Sequence, residues 1–322
     1  MFVLRGVVVS FCIFFIMYAV LSLIVCFSWR SLAALIKNLP SGVRADWLFA
    51  VRMFPLAVSM GLTLFFAVPS FLMLEPRAVE EAMRIDLMIS AFCGMALVLI
   101  GIGNAGMAWA QVSKTVAQWS TDSEAIARGS CDLSMQIPVL CASMAAPPLS
   151  IAGVLRPQVW LSHAANSALT DRELVIALRH EVVHARRYDN LKKLFLLTVA
   201  FPGMAGLERE WRGAGEIAAD EAAVSSQSDA LDLAAAVIKL SGLVPPRAPV
   251  QLATALVHSS AESLNDRVER LIAWKEPKQQ NLPHRYGWFY AISSASAATV
   301  LIALTYGNLL VRVHAATEWL VR

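Results

Sequence analysis

The chain has 322 residues, of which 57% are hydrophobic and only 16% charged, with a mean hydropathy of +0.57. Soluble domains lie near about half apolar and about a quarter charged, so this composition excludes an ordinary soluble protein and indicates a membrane protein. The formal net charge of +3 is small and dispersed and gives no argument for direct nucleic-acid binding, and the 5 Cys include no CxxC pair, which argues against a disulfide framework and a thiolate metal site.

The first apolar run, about residues 6–27, is long enough to cross a bilayer. It is too long for the core of a signal peptide, and no small-x-small cleavage site follows it. A polar segment with Arg30, Lys37 and Arg44 leads to a second run, 54–74, in which Pro55 and Pro69 are tolerated as they are in many spans. The loop Glu75–Asp86 carries charges of both signs. A third run, 87–110, offers Gly94, Gly101, Gly103 and Ala105 as a small-residue face for packing on another span. Residues 1–110 thus read as a membrane region of three transmembrane helices. A fourth run, 288–310, opens on Trp288, Phe289 and Tyr290, which suit an interfacial belt, and leaves a short extracytoplasmic tail within 288–322. The basic segment at Arg30–Arg44 belongs in the cytoplasm by the positive-inside rule, which places both termini outside and residues 111–287 in the cytoplasm.

Within that cytoplasmic region, 111–128 reads as a charged helix leaving the membrane. Residues 132–161 read as short strands broken by Pro138, Pro147, Pro148 and Pro157. Ile151–Leu155 and Gln158–Leu161 suit a hairpin, which either fills out a sheet or offers an edge on which a peptide docks as an added strand. The stretch Thr170–Asn190 carries the centre of the argument. Thr170 with Glu173 forms a capping-box signature, and Leu169 with Leu174 a hydrophobic staple, so a helix begins here. On it lies His180-Glu181-Val182-Val183-His184. Residues four apart share a helix face, so both imidazoles can reach one metal ion, and Glu181 between them can take a proton from the attacking water. The apolar stretch 194–207, interrupted at Pro202-Gly203, is too short for a span and suits a core helix near the membrane surface or a re-entrant segment. Further helices are expected at 215–225, 230–243 and 262–274.

Two histidines do not complete a catalytic zinc site, which uses three protein ligands and an open position. Glu216 and Asp220, four apart on an alanine-rich helix, project together. Glu216 is the candidate third ligand and Asp220 the candidate acceptor for the ring N–H of His180, with Glu208, Glu210 and Glu221 as rival ligands or a solvated face. His258 and Arg267 are candidate donors to the transition-state oxyanion, against readings as a surface histidine and a structural ion pair. Asp189 either anchors the end of the metal helix, assists the site, or is solvated.

HEVVHARRYDN followed by EIAADEAAV resembles the gluzincin metallopeptidases. Three spans before the zinc domain and one after it, with VLRPQVWLS, LTDRELVIALRHEVVH and LNDRVERL, resemble the BlaR/MecR family of membrane zinc peptidases. The resemblance implies an α-helical membrane protein of four transmembrane helices with a cytoplasmic α+β gluzincin domain. It implies one Zn²⁺ per chain on His180, His184 and Glu216, with Glu181 as general base and Asp220 behind the ligands. It implies a regulatory endopeptidase of the bacterial inner membrane that cuts itself or a cytoplasmic repressor. Well-known sensors of the family carry an extracellular penicillin-binding domain after the last span; only about a dozen residues stand there in this chain, so the signal is expected through a separate sensor protein or the spans. The other readings are an HtpX/Ste24-like quality-control protease, which places spans after the metal motif, and a non-catalytic receptor with a structural zinc, for which Glu181 would have no use.

Overall fold

The structure, a computed structural model, describes residues 2–76, 84–121, 124–125, 137–142, 147–198, 201–243, 253–255, 261–275 and 305–318. Three of its helices are long and apolar enough to cross a membrane. The first is α1 (Phe2–Leu35). The second is α2 (Ser41–Leu62), which passes through a π-turn (Thr63–Ala67) into α3 (Val68–Leu74), and the third is α4 (Ile85–Thr121). Each outruns its apolar stretch, because hydropathy marks only the part suited to lipid and nothing in the flanks breaks the helix. The wide turn at Thr63–Ala67 sits just ahead of Pro69, whose ring removes an intrahelical N–H and crowds the preceding turn. The helix expected to run to 128 ends at Thr121, where Glu124–Ala125 leaves it to form a strand, β1. The expected fourth span lies mostly outside the described residues; residues 305–318 are helical and continue beyond its expected end.

The chain forms two compact units. One comprises Met1–Ser28, Met53–Leu99 and Pro277–Arg322. In it Val9 and Cys12 pack on Leu87 and Ala91, and Gly94 lies so close to the Phe11 carbonyl that a side chain would collide with it. Arg5 lies 3.2 Å from Glu75, His314 lies 3.9 Å from the same carboxylate, and the Tyr306 hydroxyl donates to the Phe65 carbonyl.

The other unit, Trp29–Arg52 with Ile100–Glu276, holds the motif. Its sheet has the order β1-β2-β4-β3-β5, formed with β2 (Val139–Ala142), β3 (Leu149–Ala152), β4 (Gln158–Ser162) and β5 (Ala253–Ala255). β3 and β4 are the expected hairpin, antiparallel with Leu149 opposite Leu161 and Ala152 opposite Gln158. The hairpin is not an edge, however. β2 pairs with β4 and β5 with β3, so both of its strands already have two neighbours and neither offers a free ladder to a peptide.

The helices that follow are α5 (His163–Ala168), α6 (Asp171–Arg186), α7 (Asp189–Thr198), α8 (Ala205–Ala223), α9 (Gln227–Ser241) and α10 (Ala261–Ile272). Alternate residues of β4 separate the two faces of the sheet. Val159 and Leu161 join Leu174, Leu178, Leu233 and Val237 in the main core, while Trp160 turns the other way onto Trp119 at the end of α4. The apolar stretch 194–207 is not one helix. It is divided between α7 and α8 by a turn in which Gly203 has φ 92°, and Leu194 and Leu197 pack against Ala108, Val112 and Val154.

Residues 29–52 are bound to this unit by charge. Arg44 pairs with Glu210, Arg52 Nε donates to Glu208 at 2.9 Å, and Ser41 donates to Glu221. Asp46 accepts from Arg187 at 3.1 Å and from Lys192 at 2.8 Å, and the Phe49 and Trp211 rings meet at 6.0 Å. Arg52 is 2% exposed, so its carboxylate partner carries more weight than a surface ion pair would. Glu208→Ala is expected to remove about 1–3 kcal/mol from the unfolding free energy of the full chain. The readout is a lowered thermal midpoint in detergent, whereas the exposed change Arg172→Ala should stay within about 0.5 kcal/mol.

Candidate metal centre

α6 begins where its sequence says it should. Thr170 accepts from the Glu173 N–H, and the Glu173 carboxylate accepts from the Thr170 N–H at 2.8 Å, closing the capping box. Leu169 and Leu174 are both buried in the main core. That start fixes the phase of the helix, so His180, Glu181 and His184 all face inward, at 0%, 0% and 3% exposure. Opposite them lies α8. Its buried Ala218 and Ala219 let the two helices approach, and Glu216 and Asp220 project from it toward the histidines.

The Nε2 atoms of His180 and His184 are 3.1 Å apart, and Glu216 presents one oxygen 3.6 Å from His180 Nε2 and the other 3.5 Å from His184 Nε2. The opposite ring nitrogens are each held by an acid: His180 Nδ1 lies 2.9 Å from Asp220, and His184 Nδ1 lies 2.6 Å from Asp189. A proton held at Nδ1 leaves a lone pair at each Nε2, so three electron-rich groups face one point. In a tetrahedral centre with ligand distances of about 2.0–2.1 Å, neighbouring donors stand about 3.3–3.4 Å apart, which these spacings match. The residues present therefore fit a small divalent metal ion. Among the described residues, these three are the group able to hold one.

Asp189 reaches His184 through an abrupt reversal. Tyr188, between α6 and α7, has φ 56°, a conformation that non-glycine residues avoid. Asp189 is accordingly buried rather than solvated. Arg267, on α10, grips Asp220 with two bonds, Nε at 2.9 Å and Nη2 at 2.7 Å, and its Nη1 lies 3.2 Å from Glu216. It is 1% exposed. Of the two readings of Arg267, the structure displays the ion pair: its fork is engaged by the carboxylates of Asp220 and Glu216 beside the histidines. The sequence held a signal for this. Arg267 falls on the line Leu264, Arg267, Val268, Leu271, the face that α10 buries, and an arginine on such a line needs a buried acid.

Glu208, Glu210 and Glu221 lie on α8 but engage Arg52, Arg44 and Ser41 rather than the histidines. His258 and His284 lie outside the described residues. His163 lies beside Cys141, at 3.5 Å, and His314 beside Glu75, both away from the motif. A cleft of about 640 Å³ opens beside the centre, with Glu216 and Arg267 in its wall together with Glu210, Ile217, Asp266 and Arg270.

Burial pushes the Glu181 carboxyl up to about 8, and the charge of Glu216 adds to this against the pull of His180, Lys193 and Arg267. Neither Glu181 oxygen meets a hydrogen-bond partner among the described residues. Burial alone would lower His180, but Asp220 and Glu216 outweigh it and raise its pKa to about 9. Burial likewise opposes charge on Glu216 and Asp220; His184 and Arg267 for the first, Arg267 and His180 for the second, hold both below the usual carboxylate range.

A family model described as BlaR1 peptidase M56 matches residues 73–271, more than half of the chain and all of the centre described above. No curated protein matches the sequence.

Three outcomes follow from the geometry and charges of the centre. A metal ion must displace the proton that His180 holds up to about pH 9, so affinity should rise about tenfold per pH unit between pH 6 and 8. In the metal-free protein the same proton contributes stability that is full below pH 6.5 and fades as the pH rises through about 9. Competition against a chelator at three pH values measures the first slope, and a flat profile would contradict it. Asp189→Asn, which removes the carboxylate behind His184, is expected to weaken metal binding about 10–100-fold with the fold intact. Metal content after dialysis and a thermal melt would together report it.

Proposed function

The chain belongs to the BlaR1 peptidase M56 family, and from that premise we propose that this membrane-associated metallopeptidase is a zinc endopeptidase of the gluzincin type. Its ligands are His180, His184 and Glu216, and its general base is Glu181. The observation that carries the reading is Glu181 itself. A carboxylate with no exposure and no hydrogen-bond partner among the described residues, set beside three converging ligands, costs the fold several kcal/mol and contributes nothing to a structural metal site. The receptor reading leaves it unexplained; a protease requires it.

Zinc held by these ligands would lower the pKa of water at the site toward neutrality and polarise the scissile carbonyl. The protein's own part is proton handling and orientation. Glu181, already tuned upward by burial, takes the proton from the attacking water and delivers it to the nitrogen of the leaving amine. Asp220 and Asp189 fix the tautomers of the two histidines, and Arg267 fixes Asp220 and Glu216. The cleft beside Glu216 has room for several side chains of a peptide.

We read the reaction as regulatory. The substrate would be a cytoplasmic repressor-type protein, the chain itself, or both, with the signal entering through the spans or a separate sensor. The proposed topology is four spans in the bacterial inner membrane with the peptidase in the cytoplasm. Two groupings support it. Residues 29–52, with the basic Arg44 and Arg52, belong to the same compact unit as the peptidase, while Arg5, Glu75 and His314 meet in the other.

The test compares wild type with Glu181→Gln as full chains in reconstituted membranes. Both should hold about one zinc, and fragments of the chain or of an added repressor should form with wild type and fall at least about 10²–10⁴-fold with the variant. Equal fragment yields would overturn the role of Glu181, and wild type without zinc would overturn the metal assignment.

A further inference from the structure

The stretch 194–207 holds no charged residue, and Lys192-Lys193 and Glu208-Arg209 stand at its two ends. The structure lays its first part, the end of α7, along α4. Near the start of α7, Asn190 donates to the carbonyls of Ile151 and Gly153. The next residue, Val154, packs with Ala108 and Val112 of α4, and Leu191, Leu194 and Leu197 join the same cluster. At the other end of α7, the Thr198 carbonyl lies so close to Gly101 of α4 that any side chain there would collide with it. α7 therefore runs antiparallel to α4, from the sheet into the apolar run 87–110. Gly101 stands nine residues inside Ala110, the last residue of that run, which is about 14 Å along the helix. The hydrocarbon of a bilayer is about 30 Å thick, so α7 ends near its middle. Two details suit a helix end in lipid. Thr198 Oγ1 donates to the Phe195 carbonyl at 2.6 Å, a partner for the last turn where water is absent, and the glycine lets the two backbones meet. The chain is back at the interface by Gly206, which lies against the Trp29 ring just past the first apolar run.

We propose that residues 194–198 of the peptidase unit are embedded in the bilayer, with the Phe195 side chain against lipid acyl chains. The proposal rests on the reading of α4 as a membrane span. Phe195 is 47% exposed, which is unfavourable for a phenylalanine in water and favourable in hydrocarbon. α7 thus enters the leaflet nearer the peptidase and the chain leaves it again with α8, whose first acid is Glu208. The 10 residues of α7 cover about 15 Å, so Asp189 and the His184 that it holds stand near the level of the headgroups. The lipid contact thereby sets the metal centre beside the membrane surface.

The test places the photoreactive p-benzoylphenylalanine at one position at a time in the full chain, held in bilayer discs of phosphatidylcholine and phosphatidylglycerol. The positions are Phe195, the exposed Ile102 of α4, and Leu231 of α9, which at 48% is as exposed as Phe195. After irradiation, intact mass and fragmentation show what each probe has joined. Phe195 and Ile102 should each gain a phospholipid through an acyl chain, and Leu231 none. Equal lipid yields at Leu231 and Phe195 overturn the proposal. So does a probe at Phe195 that joins only the chain's own residues, or nothing, while Ile102 takes lipid. If Ile102 takes no lipid either, the reading of α4 as a span falls and this proposal with it. Because the probe is bulky, a second comparison uses Phe195→Asp and Phe195→Asn, which differ in charge and hardly in size. In hydrocarbon the charged variant should melt well below the neutral one in the same discs, and equal midpoints overturn the proposal. None of these readouts needs cleavage, so a failure of the peptidase reading shows separately, in the comparison of wild type with Glu181→Gln.

Discussion

The peptidase unit is built around an unfavourable encounter. Two imidazole nitrogens and a carboxylate are held a little over 3 Å apart with their lone pairs converging, in a place where both histidines are buried. Without a cation such a group repels itself or captures a proton, which is why His180 is driven to hold one to about pH 9. Everything nearby serves to prevent the alternative of collapse. Asp220 and Asp189 fix the rings from behind, Arg267 fixes Asp220, and α10 is held to α9 through a core that contains Leu271 and Leu240. The candidate ligands are pre-arranged because their supports are themselves buried and paired.

The same reasoning gives α8 two duties. One face carries Glu216 and Asp220. Along the rest of it Glu208, Glu210 and Glu221 hold residues 41–52, which form the first half of α2 and continue without a break into its membrane-length part. Exposed ion pairs contribute little singly, about 0–1 kcal/mol each. Here they act with the buried Arg52, the Phe49–Trp211 ring contact and the double acceptance by Asp46, so the segment is held at several points at once. The helix bearing Glu216 is thereby tied to residues 41–52, as are Arg187 and Lys192 through Asp46.

Much of this was legible in the sequence, and the limits have a physical pattern. Local signals were readable: the capping box at Thr170, the shared face of His180 and His184, the pairing of Glu216 with Asp220 one turn apart on a run of alanines. Relationships across distant parts of the chain were not. Nothing near Glu208 or Glu210 announces Arg52 or Arg44, more than 150 residues earlier, so these acids read as rival ligands or as a solvated face. The hairpin was visible in 151–161, but whether it forms an edge depends on β2 and on β5, the latter three residues long and too short to announce itself. Length signals misled in a similar way: the run 194–207 has the hydropathy of one helix, yet it is shared by two, with the left-handed Gly203 beside Pro202 in the break that the sequence marks.

Tyr188 shows how far the scaffold yields to the site. A left-handed backbone at a bulky residue costs about 1 kcal/mol or more, and glycine is the usual choice where a helix ends in this way. The side chain itself is 64% exposed, so no packing gain of its own compensates that cost. What the reversal provides is position. Continued as a helix past Arg187, the chain would carry residue 189 around to a different face from His184, because five residues turn a helix well beyond one revolution. Breaking the helix at Tyr188 starts α7 at once and brings Asp189 back over the last turn of α6, to 2.6 Å from Nδ1. The strain and the hydrogen bond are therefore one feature: the backbone accepts an unfavourable conformation at one residue so that the next can fix the tautomer of a ligand.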